Sequence, residues 1–220
     1  MVKNNKKLTI VLIIYSVIFY AVWALYELFI APDLKRALGS DVFNVIDSAG
    51  IKPLLWTLPA LLLVKKHNGE VSIPIREMFS LKRGWKTMLT VMVPMTAFLV
   101  LTSWRANGKL GISGSIPLNV LIYLFVGFTE ESVFRGWLFN AAVDEEKPWP
   151  AYAMNAMMFL LIHFPKWIAD GKFVVNMLSG GFIFIMMLSV LFCWTFRKTR
   201  NLLVPAFLHF WWDVLATLLE

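Results

Sequence analysis

Between Ile116 and Val143 the chain is almost wholly apolar, yet it carries Glu130, Glu131 and Arg135. A run of that length has one stable solution, an α-helix that satisfies its own backbone groups and is long enough to cross a bilayer. The charges inside the run are the constraint. An ionisable group at bilayer depth costs roughly 2.5–3.5 kcal/mol on insertion scales, so it needs a partner and usually has a function. Glu131 and Arg135 stand four residues apart and face each other on a helix, with the acid on the favourable N-terminal side. Glu130 points about 100° away and has no such partner on its own helix. A carboxylate held beside a second acid in low dielectric is the setting in which a general base working near neutral pH is made.

The rest of the chain repeats the apolar pattern. Of its 220 residues 59% are hydrophobic and only 16% are charged, where a soluble domain is nearer 25% charged. The expected fold is all-α: a polytopic transmembrane helical bundle forming one integral membrane domain over residues 1–220. About seven spans are predicted, at 8–30, 41–64, 87–103, 116–143, 149–163, 173–196 and 202–219, with an interfacial segment at 75–81. The second segment carries Asp47 and Lys52 and is cleanly apolar only from Pro53, so the sequence leaves open whether it spans fully. Pro53 and Pro59 favour kinks there. Glu27 reads as an interfacial helix end, and Gly180-Gly181 as a place where helices approach closely. Asp144 to Pro148 reads as a solvated turn. The single cysteine, Cys193, excludes an intrachain disulfide and a thiolate metal cluster, and reads as packing.

The net charge of +7 does not imply nucleic acid. The basic residues lie between apolar runs, at the N-terminus, at 65–86, at Lys147 and at 197–200, where positive-inside topology accounts for them. That alternation predicts a multi-pass protein of the cell membrane with the N-terminus in the cytoplasm and Glu220 outside. The lipid bilayer is a partner by this reading. The sequence carries no signal for oligomeric state.

Two further polar residues stand in apolar runs. His163 closes the fifth run and His209 sits in the seventh, and each anchors an i, i+4 pair, Phe159 with His163 and His209 with Asp213. At about 1.5 Å per helical residue, Glu130 lies roughly 18 Å, His163 roughly 20 Å and His209 roughly 11 Å from the basic ends of their spans. The three can therefore line one cavity, expected to open towards the cytoplasmic side. Singly, His163, His209 and Arg135 have ordinary explanations, as an interfacial histidine, an interhelical hydrogen bond and a snorkelling arginine; the adjacent acids Glu130 and Glu131 are hardest to dismiss, because two of them in an apolar run are expensive.

Taken in order, E-E-x-x-x-R at 130–135, F-x-x-x-H at 159–163 and H-x-x-x-D at 209–213 resemble the motifs of the CAAX-protease and bacteriocin-processing family of intramembrane endopeptidases, also called Abi. The resemblance covers about Gly127 to Asp213, within a motif-bearing core at about 116–219. It implies a glutamate-based, metal-independent peptide hydrolase acting on a peptide or membrane-tethered substrate. Glu130 takes the proton from water, His163 holds that water, His209 and Asp213 face the oxyanion, and Glu131 with Arg135 fixes the helix. The family pattern has Asn or Asp at the last position; Asn donates a hydrogen bond directly, whereas Asp donates only when protonated. No cofactor is expected. Zinc is the lesser alternative, since two histidines and a glutamate are a familiar catalytic set, although no H-E-x-x-H is present. Two other functions stay open at this stage, an immunity or binding protein that keeps the site for recognition, and a proton-coupled transporter using the acids and histidines as a relay.

Overall fold

A computed structural model describes residues 6–219; residues 1–5 of the basic N-terminal stretch, and Glu220, lie outside the described residues. The structure is 81% helical, with no strand among the described residues. In chain order the helices are α1 (Lys6–Leu38), α2 (Ser40–Lys66), α3 (Trp85–Asn107), α4 (Ile116–Ala142), α5 (Trp149–Leu161), α6 (His163–Ala169), α7 (Phe173–Leu178), α8 (Gly181–Thr199) and α9 (Leu203–Leu218). Five of them, α1, α2, α3, α4 and α8, are long and apolar enough to cross a membrane. The shorter α5 and α9, with 13 and 16 residues, run beside them. The protein is a multi-pass membrane protein.

Several expectations are corrected by the helix boundaries. The segment around 41–64 is one helix of 27 residues, α2, because Pro53 opens a π-helical turn there instead of breaking the chain. Glu27 is not interfacial: α1 runs eight residues beyond Ile30, which carries Glu27 into the protein with 5% exposure. The run predicted at 173–196 is split, because Gly180 adopts a left-handed φ of 76° and ends α7 before α8 begins. That glycine pair does not serve a helix crossing. A Cβ on Gly181 would meet only atoms of Ser179 and Asn176.

The close crossing occurs at Gly127. A Cβ there would come within 2.7 Å of the Ala206 carbonyl oxygen and 2.9 Å of the Phe210 nitrogen, so only glycine lets the α4 and α9 backbones meet. This contact fixes the helix carrying Glu130 against the helix carrying His209.

The connection between α2 and α3 forms no long surface helix. Within it only Ile75–Glu77 is helical, a single 3-10 turn, and Ile73 and Met78 are buried beneath it. Two buried asparagines hold it down as a belt across one end of the bundle. Asn140 accepts from the Ile73 N–H at 2.7 Å and donates to the Ile73 carbonyl at 2.9 Å. Asn201 donates to the carbonyls of Ser80 and Arg83, both at 2.7 Å. Arg200 pairs with Glu77 at 3.0 Å, and Arg197 with Glu145 at 2.8 Å, around the rim. A satisfied asparagine removes the desolvation cost of irregular backbone, so the belt gains from burying Ile73 and Met78 what a surface helix would lose to water.

Four π-helical turns interrupt the long helices, at Tyr26–Ile30, Asp47–Ile51, Pro53–Thr57 and Ser132–Phe139. Such turns close their hydrogen bonds one residue later than an α-helix and often mark functional positions. Here each carries buried polar side chains: Tyr26 and Glu27, Asp47 and Ser48, Thr57, Ser132 and Arg135.

Candidate active site

The site is assembled from α4, α5–α6 and α9, with the first two helices packed against it. Glu131 lies at zero exposure, and its Oε1 accepts from Arg135 Nη1 at 2.8 Å within the same helix. The i, i+4 pairing expected from the sequence is therefore present. The same oxygen also meets His209 Nδ1 at 2.9 Å, a contact the sequence does not announce because it joins residues 78 apart. Arg135 is held further by the Ser189 carbonyl at 3.1 Å and by the faces of Phe159 and Phe192, whose ring centres lie 4.4 and 5.3 Å from the guanidinium carbon.

His209 joins the cluster through both nitrogens. With Nδ1 on Glu131, its Nε2 lies 3.8 Å from Glu130 Oε2 and 3.4 Å from Asp213 Oδ2. Asp213 thus faces His209, one turn back on the same helix. Phe192 stacks on the His209 ring with centres 5.2 Å apart, which fixes its plane. His163, at the start of α6 directly after the end of α5, bonds through Nδ1 to the Phe159 carbonyl at 2.9 Å. A carbonyl only accepts, so Nδ1 carries the proton and Nε2 presents its lone pair. Glu130 and His209 both lie within electrostatic range of His163. Phe159 stands between the two histidines, edge-on to each, with centres 5.4 and 5.7 Å away. In the F-x-x-x-H motif the phenylalanine therefore supplies the carbonyl and the wall that orient His163, and its ring touches His209 and Arg135 as well.

Four residues essential to this geometry escape the sequence reading. Asn155 is fully buried and donates to the Phe134 carbonyl at 2.8 Å while accepting from Ser189 and Cys193. Phe192 and Ser189 come from α8, which has no motif. Cys193 lies at zero exposure against Asn155 and is packing, as expected. Lys52 is the fourth: it is half-buried on α2, pairs with Asp47 at 3.1 Å, and its charge is felt by His163 and Asp213. Among the described residues no three of His, Cys, Asp and Glu are arranged to hold a metal ion.

Exposure of these side chains rises from 0% at Glu131 to 11% at Glu130 and 23% at Asp213. Asp213 lies one turn beyond His209, away from the belt. On the belt side Phe134, Trp137, Leu138, Phe139, Leu202 and Met78 are all at or near zero exposure. The site is therefore sealed at the end bearing the basic loops, where it was expected to open, and loosens towards the opposite end. An apolar groove of about 550 Å³ between α3 and α8, lined by Val91, Met95, Phe98, Phe184, Leu188 and Trp212 among others, holds no titratable group and lies outside this cluster.

The family model described as Type II CAAX prenyl endopeptidase Rce1-like matches residues 112–215. Over that stretch the chain is similar to the Rce1-like family. That stretch contains all three motifs, and the resemblance to CAAX proteases drawn from those motifs holds. The match supports CAAX-type intramembrane endopeptidase activity in general, on a peptide or membrane-protein substrate. No curated protein and no solved structure matches the chain. The Rce1-like stretch leaves out α1, α2, the belt and α3, so Lys52 and Asp47 lie outside the matched residues.

Proposed function

We propose that this protein hydrolyses a peptide bond within the membrane using a water molecule activated by Glu130. The observation that carries the reading is the placement of His209, whose two nitrogens meet residues of the first motif on one side and Asp213 on the other. Amide hydrolysis needs a base for water, a donor for the oxyanion and a proton for the leaving amine. Glu130 takes a proton from water as the oxygen attacks the carbonyl carbon. The Nε2 lone pair of His163 accepts the water's other hydrogen and aims it. His209, with Nδ1–H held by Glu131, offers Nε2–H to the oxyanion, and Asp213 keeps that proton on the ring. As the tetrahedral adduct collapses and the C–N bond breaks, Glu130 returns its proton to the departing nitrogen. The products are one new carboxylate and one new amine, and protein groups carry every step, so no cofactor is required. Arg135 holds Glu131, which orients His209. This follows the logic of a buried acid orienting a catalytic histidine.

The same reading places the N-terminus and the belt on the cytoplasmic side, by the distribution of Lys and Arg. The test is cleavage of a peptide substrate by purified protein in liposomes. Glu130→Gln keeps shape and hydrogen-bonding reach but loses the base, so kcat falls about 10²–10⁴-fold with the fold intact. Chelator has no effect. Full activity in Glu130→Gln removes Glu130 from the mechanism, and activity that returns only with added zinc replaces this chemistry with a metal-based one.

A further inference from the structure

We infer that Lys52, contributed by the half of the chain outside the Rce1-like stretch, is the positioning residue for Glu130, doing for that carboxylate across helices what Arg135 does for Glu131 within one. The inference rests on the reading of Glu130 as the base. On its own helix Glu130 has no partner cation, since Arg135 is taken by Glu131, and its basic neighbour in the site is His209, whose Nε2 lies 3.8 Å away. A buried carboxylate short of positive charge is costly. The further fixed cation that acts with it comes from α2. The two π-helical turns flanking Lys52, at Asp47–Ile51 and Pro53–Thr57, both pack on α4. The register is pinned next to the base itself, where the Thr57 hydroxyl donates to the hydroxyl of Thr129 at 3.1 Å. Lys52 and Glu130 also share a depth, roughly 20 Å along their helices from the belt.

The ammonium is held in a built socket. Asp47 Oδ2 accepts from it at 3.1 Å, and the rings of Trp23 and Trp56 lie 5.0 and 5.9 Å away. Tyr26 donates to the other oxygen of Asp47 at 2.7 Å, and Trp23 donates to the Ile162 carbonyl at 2.9 Å, beside His163. The socket is thus tied to the α5–α6 junction as well as to α4. Asp47 takes one of three ammonium hydrogens. The acids that act on Lys52 are Asp47, then Glu130, then Glu27, so the catalytic carboxylate is its second partner, beyond direct contact. Around the same space stand Asp213, Glu131, Arg135, His163 and His209, with Lys166 and Asp170 acting on Glu27. Acids outnumber fixed cations there, so each cation is decisive.

A double-mutant cycle tests this. Lys52→Met should lower the unfolding temperature of the purified protein by roughly 5 °C or more, through a carboxylate left without its cation. Adding Glu130→Gln should recover a large share of that loss, and adding Asp47→Asn less. In activity, Lys52→Met should lower kcat roughly 10-fold or more with KM nearly unchanged, while Lys52→Arg keeps most of both kcat and stability. Full recovery by Asp47→Asn with none by Glu130→Gln overturns the inference, assigning Lys52 to Asp47 alone. An unchanged kcat in Lys52→Met also overturns it. If the single variant does not fold, the folded yield of Lys52→Met with Glu130→Gln decides: higher than Lys52→Met alone supports the pairing, equal overturns it. The stability arms do not depend on hydrolysis. Full activity in Glu130→Gln would refute its role as base without touching them.

Discussion

The belt end and the catalytic middle of this bundle are both rich in buried polar side chains, but they are built on opposite terms. At the belt, Asn140 and Asn201 are neutral, and their amides are matched to backbone donors and acceptors. The ion pairs there, Arg197 with Glu145 and Arg200 with Glu77, sit at the rim with side chains about a third or more exposed. In the middle the groups are charged, share partners, and are left with capacity towards an open side. Glu131 uses one oxygen for both Arg135 and His209, and its other oxygen has no protein partner among the described residues. Neutral, matched polarity holds a fold shut at little cost. Charged, shared polarity is expensive to bury and repays that only when chemistry needs it.

Substitutions can break this contrast, and the largest effect belongs in the middle. Arg135→Ala leaves Glu131 charged and alone at zero exposure, so it should destabilise the protein by about 3–5 kcal/mol, read as loss of folded material in detergent. A fully stable but inactive Arg135→Ala protein would make Arg135 a substrate ligand. Next comes Asn201→Leu at the belt, which strands the carbonyls of Ser80 and Arg83. Each unmatched buried group costs about 1–3 kcal/mol, and activity per folded molecule should be unchanged; a selective loss of kcat would show the belt to be part of the catalytic apparatus. Breaking the rim pair by Glu77→Ala should cost about 0–1 kcal/mol, less in high salt. A penalty as large as that of Asn201→Leu would erase the distinction between rim and latch.

The smallest effect is at Asp144, whose carboxyl the backbone N–H groups of Glu146 and Lys147 hold below its usual range. A group whose folded value is depressed contributes stability above the unfolded value, about 3.9 for Asp. That contribution disappears as pH falls through the lower folded value. Asp144→Asn should therefore differ slightly from the parent in unfolding temperature at neutral pH, with the difference closing only below about pH 4; a difference independent of pH would point to a change in turn geometry instead.

What the sequence made legible was local or periodic. Apolar runs announced the bundle, because bilayer thickness sets helix length. The Glu131–Arg135 pair was legible because four residues make one helical face. Asp47 and Lys52 were visible only as blemishes in a marginal span, since hydropathy scores a charge without knowing that Trp23 and Tyr26 wait for it on another helix. Asn140 and Asn201 looked unremarkable because an amide gains meaning only from backbone that arrives from as many as 121 residues away. The His209–Asp213 pair was legible on the same i, i+4 ground, but the ring plane that Phe192 sets from a helix without a motif was not.

The π-helical turn at Ser132–Phe139 separates Glu130 from the Asn140 latch. A helix wound this way carries one surplus residue in its widened turn. Losing a single residue between positions 132 and 139 would let the segment relax to ordinary winding, and that relaxation would absorb most of the missing turn. The same loss between Gly127 and Glu130 has no surplus to draw on, and everything on one side of it would rotate by about 100° relative to the other, turning the acids from His209 while Gly127 keeps its crossing. Deletions just before the turn should therefore be harsher than deletions within it, because what this stretch holds is a spare count as much as a composition.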